Sequence, residues 1–160
     1  MHKRKFKAAA LLLALSLILP AGAALAVSGA PVAENLNLTT YRNVCVGGQL
    51  AAVDPEGDAV TFEITTQPTK GSVELNGDGR FVYTPDANRK GRDYFGYRAV
   101  DDTGARSQEA TVIISIEKQK TDVSYSDMEG NSASYAAVAL AERGIFTGEK
   151  LGSQWVFQPE

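Results

Sequence analysis

Histidine and cysteine are almost absent from this chain of 160 residues, which contains one of each. The histidine is His2, close to the amino terminus, and the cysteine is Cys45. A chain with one cysteine cannot form an intramolecular disulfide, so its fold must depend on a hydrophobic core. Cys45 lies between Val44 and Val46, and we expect a small buried side chain there rather than a reactive thiol.

Long hydrophobic runs are also missing. The longest, residues 8–19, spans 12 residues, whereas a transmembrane helix needs about 20. Basic residues precede this run, Pro20 follows it, and Ala24-Leu25-Ala26 places small residues at the two positions that a signal peptidase reads. This is the pattern of a secretory signal peptide, and we expect a signal peptide over residues 1–26.

Loss of that segment would change the chemistry of the chain. Residues 1–26 carry four of the 16 Lys and Arg and none of the 19 Asp and Glu, so 12 − 19 gives the remaining chain a net charge of −7. His2 would leave with the signal, which excludes a Ser-His-Asp triad and a His-ligated zinc site. The acidic balance argues against nucleic acid and against anionic membrane surfaces as partners. We therefore predict a secreted protein that is not an enzyme and has no catalytic residues; its oligomeric state is not specified by the sequence.

Residues 27–117 carry the alternation of a mainly β domain. Apolar and polar residues alternate in five runs, which places one side of each strand in a core and the other in water. These runs contain Phe62 and Ile64, Val73 and Leu75, Phe81 and Tyr83, Phe95 to Ala99, and Val112 to Ile116. Turn-forming residues separate them, including the hairpin signal Asn76-Gly77-Asp78-Gly79. We predict an antiparallel β-sandwich of about seven strands.

After Glu117 the pattern changes to that of a short linker and a helix. Residues 118–122 are polar and charged, and residues 131–134 supply helix-capping side chains. The Ala-rich segment 135–143 has high helix propensity and ends at Gly144. We expect Ile145 and Phe146 to fold back onto this short α-helical fragment.

Two acidic turns are the candidates for a binding or catalytic site. Asp54, Glu56 and Asp58 lie within five positions, and Asp101 and Asp102 lie in a second turn. Acidic turns between strands are common, and this is the first interpretation. Calcium requires several oxygen ligands, so the five carboxylates are alternatively weak calcium candidates if the loops share one end of the sandwich. A glycosidase-type acid pair is a third alternative, which no apolar pocket around these residues supports. No other cofactor is predicted.

Residues 30–117 resemble the Ig-like, cadherin-like tandem repeats of bacterial surface proteins. The resemblance is carried by APVAEN (30–35), GGQLAAVDPEGDAVTFEI (47–64) and QPTKGSV (67–73), followed by GRFVYTP (79–85), DYFGYR (93–98) and ATVIISI (110–116). It implies a sandwich that serves as a spacer or interaction module and implies no reaction. In such families acids also bind calcium between repeats, which makes Glu34 a further candidate by resemblance.

Residues 123–160 resemble the first part of an S-layer homology module. The matching residues are Tyr125-Ser126-Asp127, the helix end at 140–145, Thr147-Gly148 and Phe157-Gln158-Pro159, while the Thr-Arg-Ala-Glu segment of the family is not in the sequence. The resemblance implies attachment to cell-wall polysaccharide through the complete module, of which this chain holds an incomplete copy.

Taken together, these patterns predict an exported cell-envelope module of the cell surface. A sandwich over 27–117 is joined by the linker 118–122 to an incomplete S-layer homology module over 123–160. It serves as a spacer or adhesion domain. Two alternatives remain open: the non-catalytic front end of a larger surface hydrolase, and a calcium-dependent adhesin.

Overall fold

The computed structural model describes residues 29–157. The predicted signal peptide, and Gln158 and Pro159 of the closing motif, lie outside the described residues. Among the helices of the described part, none is long and apolar enough to span a membrane.

Eleven strands, one 3₁₀ turn and one α-helix make up the described chain. The strands are β1 (Val32–Ala33), β2 (Leu36–Tyr41), β3 (Val46–Gln49), β4 (Ala52–Val53), β5 (Thr61–Thr66), β6 (Gly71–Leu75), β7 (Arg80–Pro85), β8 (Gly91–Val100), β9 (Ala110–Glu117), β10 (Glu149–Leu151) and β11 (Gln154–Val156). A 3₁₀ turn covers Ser126–Met128 and helix α1 covers Ser134–Glu142.

The predicted β-sandwich is confirmed, with seven strands in its two main sheets. One sheet has the order β2-β9-β8-β5 and the other the order β3-β7-β6, while β1 and β4 form a separate short pair. Pairing is antiparallel except between β2 and β9, which run parallel with Leu36 opposite Val112. This pair departs from the all-antiparallel expectation. Alternation along a strand shows which side is buried but carries no information about the direction of its neighbour.

The core lies between the inner faces of the two sheets. Alternate residues of β7, β8 and β9 are buried there, and the Phe81 and Phe95 rings meet edge to face with centroids 5.2 Å apart. Edge-to-face packing suits the ring quadrupoles. Phe62 of β5 packs against Tyr97 at 5.9 Å. All five predicted apolar runs therefore lie in strands that contribute to this core.

The hairpin between β6 and β7 forms at the predicted Asn76-Gly77-Asp78-Gly79. The Gly79 N–H donates to the Asn76 carbonyl at 3.0 Å, and the Asn76 N–H donates to the Arg80 carbonyl at 2.7 Å. Gly79 has φ of +82°, and a Cβ at this position would lie 2.6 Å from the Phe62 ring. Both the positive φ and the close approach require glycine at this turn.

Residues 123–157, the C-terminal unit, comprise the 3₁₀ turn, α1 and the β10–β11 hairpin. Helix α1 ends at Glu142, with Gly144 at φ of +65° just beyond it. Its N-cap is Ala133, whose methyl side chain cannot accept a hydrogen bond. Of the predicted capping residues, Asn131 accepts the Ala133 N–H and the Ser134 hydroxyl donates to the Met128 carbonyl. The prediction that Ile145 and Phe146 fold back onto the helix is wrong, because their side chains are 66% and 46% exposed.

The C-terminal unit packs directly on the sandwich. The Tyr41 and Tyr135 rings stack with centroids 5.5 Å apart, and Val44 is buried in a cluster with Val123 and Val138. Cys45 is buried, as expected, and its thiol donates to the Asn131 carbonyl at 2.9 Å.

The segment predicted as a linker is also fixed in place. The Lys120 and Thr121 N–H groups donate to the Glu142 carboxylate at 2.8 and 2.7 Å. Burial favours the neutral form of Glu142, but the bonds from Thr121 and Lys120 prevail and lower the pKa of its carboxyl. These bonds tie residues 118–122 to helix α1, while the predicted domain boundaries themselves stay predictions.

Candidate functional site

The first acidic turn connects β4 to β5. The Asp54 Oδ1 atom accepts the N–H groups of Glu56 at 2.9 Å and Asp58 at 3.1 Å, and the Gly57 N–H donates to the Asp54 carbonyl at 3.2 Å. The Glu56 carboxylate accepts the Gly29 N–H at 3.0 Å. An aspartate that bonds the backbone two residues further on is a standard way to close a turn.

The second acidic turn follows β8 and has the same geometry. The Asp101 Oδ1 atom accepts the N–H groups of Thr103 at 2.9 Å and Ala105 at 2.8 Å, and it also accepts the Thr103 hydroxyl at 2.8 Å. Burial favours the neutral acid, but the bonds from Thr103 and Ala105 prevail and lower the pKa of Asp101. The carboxylate of Asp101 is thus held in its charged form as part of the turn.

Sheet topology brings the two turns together. Strands β5 and β8 pair antiparallel with Thr61 opposite Val100, so the loop before β5 lies beside the loop after β8. This proximity raises the pKa of Asp58. The charge of Asp102 contributes most, followed by burial and then by the charges of Asp54, Glu56 and Asp101. All five predicted candidates therefore lie at one end of the sandwich and repel one another.

The carboxylates do not form a closed metal site in this arrangement. Among residues 29–157, no group of three or more His, Cys, Asp or Glu side chains is arranged to hold a metal ion. One oxygen nevertheless stands out: Asp54 Oδ2 is buried and has no hydrogen-bond partner within the described residues. A buried carboxylate oxygen usually has a partner, so this atom is the one feature of the cluster that two turns alone do not explain.

Glu34 and Tyr94 are two further exposed residues of the sandwich. Glu34 is exposed between β1 and β2, and its carbonyl accepts the Tyr97 hydroxyl. Tyr94 is 56% exposed on the outer face of the four-stranded sheet, opposite Ile113, which is 36% exposed. A single exposed tyrosine beside one aliphatic residue gives only a small apolar patch.

The most heavily bonded carboxylate among residues 29–157 was not one of the predicted site residues. Asp93 in β8 is 1% exposed and accepts hydrogen bonds from the Thr69 and Lys70 backbone and from the Tyr83 hydroxyl at 2.8 Å. Burial favours neutral Asp93, but these bonds prevail and lower the pKa of its carboxyl; burial and the Asp93 contact raise the pKa of Tyr83. The signal was present, since Asp93 occupies a core position of the β8 alternation.

The chain is similar to parts of several solved structures and covers only 14% to 62% of the length of the three described next. The chain is 25% identical to an endo-fucoidan hydrolase of glycoside hydrolase family 107, with a TM-score of 0.45 over 56% of this chain and 14% of that one. It is 17% identical to the SrpA adhesin of Streptococcus sanguinis, with a TM-score of 0.40 over 62% of each chain. It is 15% identical to the D00-D0 domain of intimin, with a TM-score of 0.40 over 58% of this chain and 50% of that one.

No curated protein matches the chain. A family model described as the bacterial cadherin-like domain matches residues 28–118, which is more than half of the sequence. The match covers both main sheets and both acidic turns. The chain therefore belongs to the bacterial cadherin-like domain family.

Proposed function

We propose that this protein is an exported, non-catalytic module of the bacterial cell envelope, in which the sandwich acts as a spacer or adhesion domain. Membership of residues 28–118 in the bacterial cadherin-like family is the observation that carries the proposal. The amino-terminal pattern of a signal peptide and the net charge of −7 that remains after it agree with export.

Residues 123–160 are assigned the attachment role in this proposal, through an S-layer homology module that binds wall polysaccharide. Support comes from the motif order around Tyr125, Gly144 and Phe157. In the fold, Asp127 accepts the Phe157 N–H at 3.0 and 3.1 Å, which joins the first and last matching motifs across the unit. The contacts with the sandwich would transmit a fixed orientation from the wall to the spacer.

The test is co-sedimentation of residues 27–160 with purified cell-wall fragments. Fragments that keep their secondary polysaccharide are compared with fragments from which it has been removed by acid. We expect the chain to pellet with the first and to stay in solution with the second. Equal pelleting with both would contradict a polysaccharide partner, and no pelleting with either would contradict attachment by this chain.

A calcium-dependent adhesin is the second candidate, and one atom favours it. Asp54 Oδ2 is buried and has no hydrogen-bond partner within residues 29–157, and the charges of Asp54 and Asp102 both raise the pKa of Asp58 in the same cluster. Calcium binds carboxylate oxygens at about 2.3–2.6 Å in flexible geometry, and it would both occupy this oxygen and cancel the repulsion at Asp58. The exposed side chains of Asp58 and Asp102 would have to move to complete the ligand set, since the described residues hold no preformed group of three ligands.

Thermal unfolding in millimolar calcium and in chelator tests this candidate. We expect calcium to raise the Tm of the wild type and the double variant Asp54→Asn/Asp58→Asn to lose that rise. Asp86→Asn is the matched control, since Asp86 lies in an exposed turn outside the cluster. A wild-type Tm that does not respond to calcium would contradict the candidate.

A further inference from the structure

The outer face of the four-stranded sheet carries an exposed apolar pair at its centre. Tyr94 of β8 is 56% exposed and lies opposite Ile113 of β9, which is 36% exposed. Strands β8 and β9 are the two inner strands of this sheet. Among the described residues of the two main sheets, no other large apolar side chain is exposed. The two residues therefore form one small apolar patch in the middle of the face.

Two charged groups flank Tyr94 along the same strand. Alternate residues of a strand point to the same face, so Arg92 lies on one side of Tyr94 and Gly96 on the other. The carboxylate of Glu109 takes the space above Gly96, because a Cβ added there would lie 2.7 Å from its carboxyl carbon. A cation and an anion thus lie about 7 Å from Tyr94 in opposite directions, at about 3.3 Å per residue.

Neither charge is neutralised within the fold. Arg92 and Glu109 are exposed and form no ion pair with any residue between 29 and 157. The Glu109 carboxylate is nevertheless held in position, since it accepts the Thr65 hydroxyl at 2.5 Å and the Thr66 hydroxyl at 3.3 Å. A charge that is already ordered loses little entropy when it meets a complementary charge on a partner.

The order of charges changes sign about Tyr94 over the whole face. Further out on the side of the first cation lies Glu117, at the end of β9, and further out on the side of the first anion lies Arg98 of β8. The Arg98 guanidinium lies opposite Glu63, which also pairs with Arg106 at 3.2 Å, so this level carries a net positive charge. A pattern of this kind is complementary to a copy of itself that has been turned end for end.

We propose that this face pairs with the same face of a second copy of the chain. The two-fold axis lies between the two sheets and crosses the strands at Tyr94. The apolar patches of the two copies then meet at the centre, and Arg92 of each copy lies opposite Glu109 of the other. Packed sheets are about 10 Å apart, which long side chains from both sides can span.

The charges also select the orientation of the pair. A two-fold axis parallel to the strands would set cations level with cations and anions level with anions, which is unfavourable. The axis across the strands joins opposite charges at every level. The pairing leaves the acidic turns uncovered beyond Val100 and the C-terminal unit beyond Tyr41, which packs on Tyr135. It goes beyond the proposed function and does not depend on wall attachment.

The small size of the apolar patch makes this a weak dimer. Stable interfaces bury about 800 Å² on each partner with a well-packed apolar centre, whereas this face offers one tyrosine and one isoleucine from each copy. We therefore expect a Kd between about 10 μM and 1 mM. Charge pairs at the rim fix orientation more than they add affinity, and high salt should weaken the pairing.

Sedimentation equilibrium of residues 27–160 in chelator, up to a concentration of about 1 mM, measures the pairing. We expect the mass of the wild type to rise from monomer towards dimer. Arg92→Glu and Glu109→Lys should each raise the Kd about tenfold or more, because like charges then face each other. Arg80→Glu and Glu74→Lys are the matched controls, since both residues are exposed on strands of the other sheet and should leave the Kd unchanged.

An equimolar mixture of Arg92→Glu and Glu109→Lys provides the decisive comparison. In a pair made of one copy of each variant, both contacts again join opposite charges. We expect the mixture to dimerise with nearly the affinity of the wild type, which damage to the fold of either variant could not produce. Tyr94→Ser removes the apolar centre at an exposed position and should also raise the Kd about tenfold.

Three results would overturn the proposal: a wild type that stays monomeric up to about 1 mM, charge variants that associate as strongly as the wild type, or a mixture that associates no better than its two components. Circular dichroism checks the fold of each variant. If Glu109→Lys does not fold, Arg92→Glu and Tyr94→Ser decide the question, and undiminished association in both would overturn the proposal. Wall co-sedimentation does not enter this test, so self-association and wall attachment can fail separately.

Discussion

The two acidic turns have the same backbone plan and differ in how completely their aspartates are bonded. In each, one aspartate accepts N–H groups two and four residues further on, and a glycine with positive φ (Gly57 at +83°, Gly104 at +87°) donates to its carbonyl. Asp101 also accepts the Thr103 hydroxyl. Asp54 has Glu56 at the equivalent position and retains a buried oxygen that has no hydrogen-bond partner in the described part of the chain.

The residue two positions after the aspartate differs between the turns. The Thr103 hydroxyl gives Asp101 Oδ1 a third hydrogen bond, whereas the Glu56 carboxylate at the same position adds a negative charge that raises the pKa of Asp58. The second turn therefore has the bonding expected of a structural element. The first turn is stable enough to form but keeps an oxygen and a charge that a cation would neutralise.

Among these variants, we expect Asp101→Ala to lower the Tm the most, and Asp54→Ala is the variant to compare with it. The first change removes three accepted hydrogen bonds, and the second removes two together with an oxygen whose burial without a partner is itself unfavourable. We expect Asp101→Ala to lower the Tm clearly more than Asp54→Ala in chelator. Equal losses in thermal unfolding would contradict the difference between the turns.

Thr103→Val tests the hydroxyl alone. The change keeps side-chain volume and removes the bond that Asp101 accepts at 2.8 Å, so we expect a loss of about 1 kcal/mol in the free energy of unfolding. Urea unfolding of the wild type and the variant measures it. The matched control is Thr111→Val, because Thr111 is half-buried in β9 and lies outside both turns.

Glu56→Thr should have the opposite sign. It places a hydroxyl where the second turn has Thr103, within reach of Asp54, and removes one charge that raises the pKa of Asp58. We expect a gain of about 0.5–1 kcal/mol in the absence of calcium, reduced by loss of the Gly29 bond to the Glu56 carboxylate. A free energy of unfolding below that of the wild type in chelator would contradict the structural equivalence of the two turns.

The smallest effect is expected from Asp58→Asn. The pKa of Asp58 is raised in the fold, first by Asp102, so its charged form opposes folding at neutral pH, and this penalty disappears as the pH falls below about 4 and the acid becomes protonated. The variant should therefore have a slightly higher Tm than the wild type at pH 7 and an equal Tm in acid. A lower Tm at pH 7 would contradict the repulsion.

Local patterns in the sequence predicted the strands that alternate and the turns that join them. The alternation of Phe81 and Tyr83, or of Phe95 and Tyr97, marks core positions that the structure buries completely or nearly so. Strand β3 (Val46–Gln49) was not predicted because two of its four residues are glycines and show no alternation. Gly48 is needed there, since a Cβ would lie 2.4 Å from the Phe81 ring.

Features that depend on which strands are neighbours could not be read from the sequence. Asp58 lies close to Asp102 because β5 pairs with β8. From the sequence alone, this proximity depended on whether the two loops share one end of the sandwich. A cavity at the junction of the sandwich and the C-terminal unit combines Thr84 with Trp155, which are far apart in the chain. Neither residue carries a local pattern that indicates this contact.

The most direct test of the functional account is the affinity of residues 27–160 for intact cell-wall fragments, measured by co-sedimentation in calcium and again in chelator. Attachment is proposed for the C-terminal unit, whereas the acidic turns belong to the sandwich. We therefore expect the chain to pellet with the same affinity in both conditions. Pelleting that requires calcium would move the attachment role to the acidic turns, and no pelleting in either condition would contradict attachment by this chain.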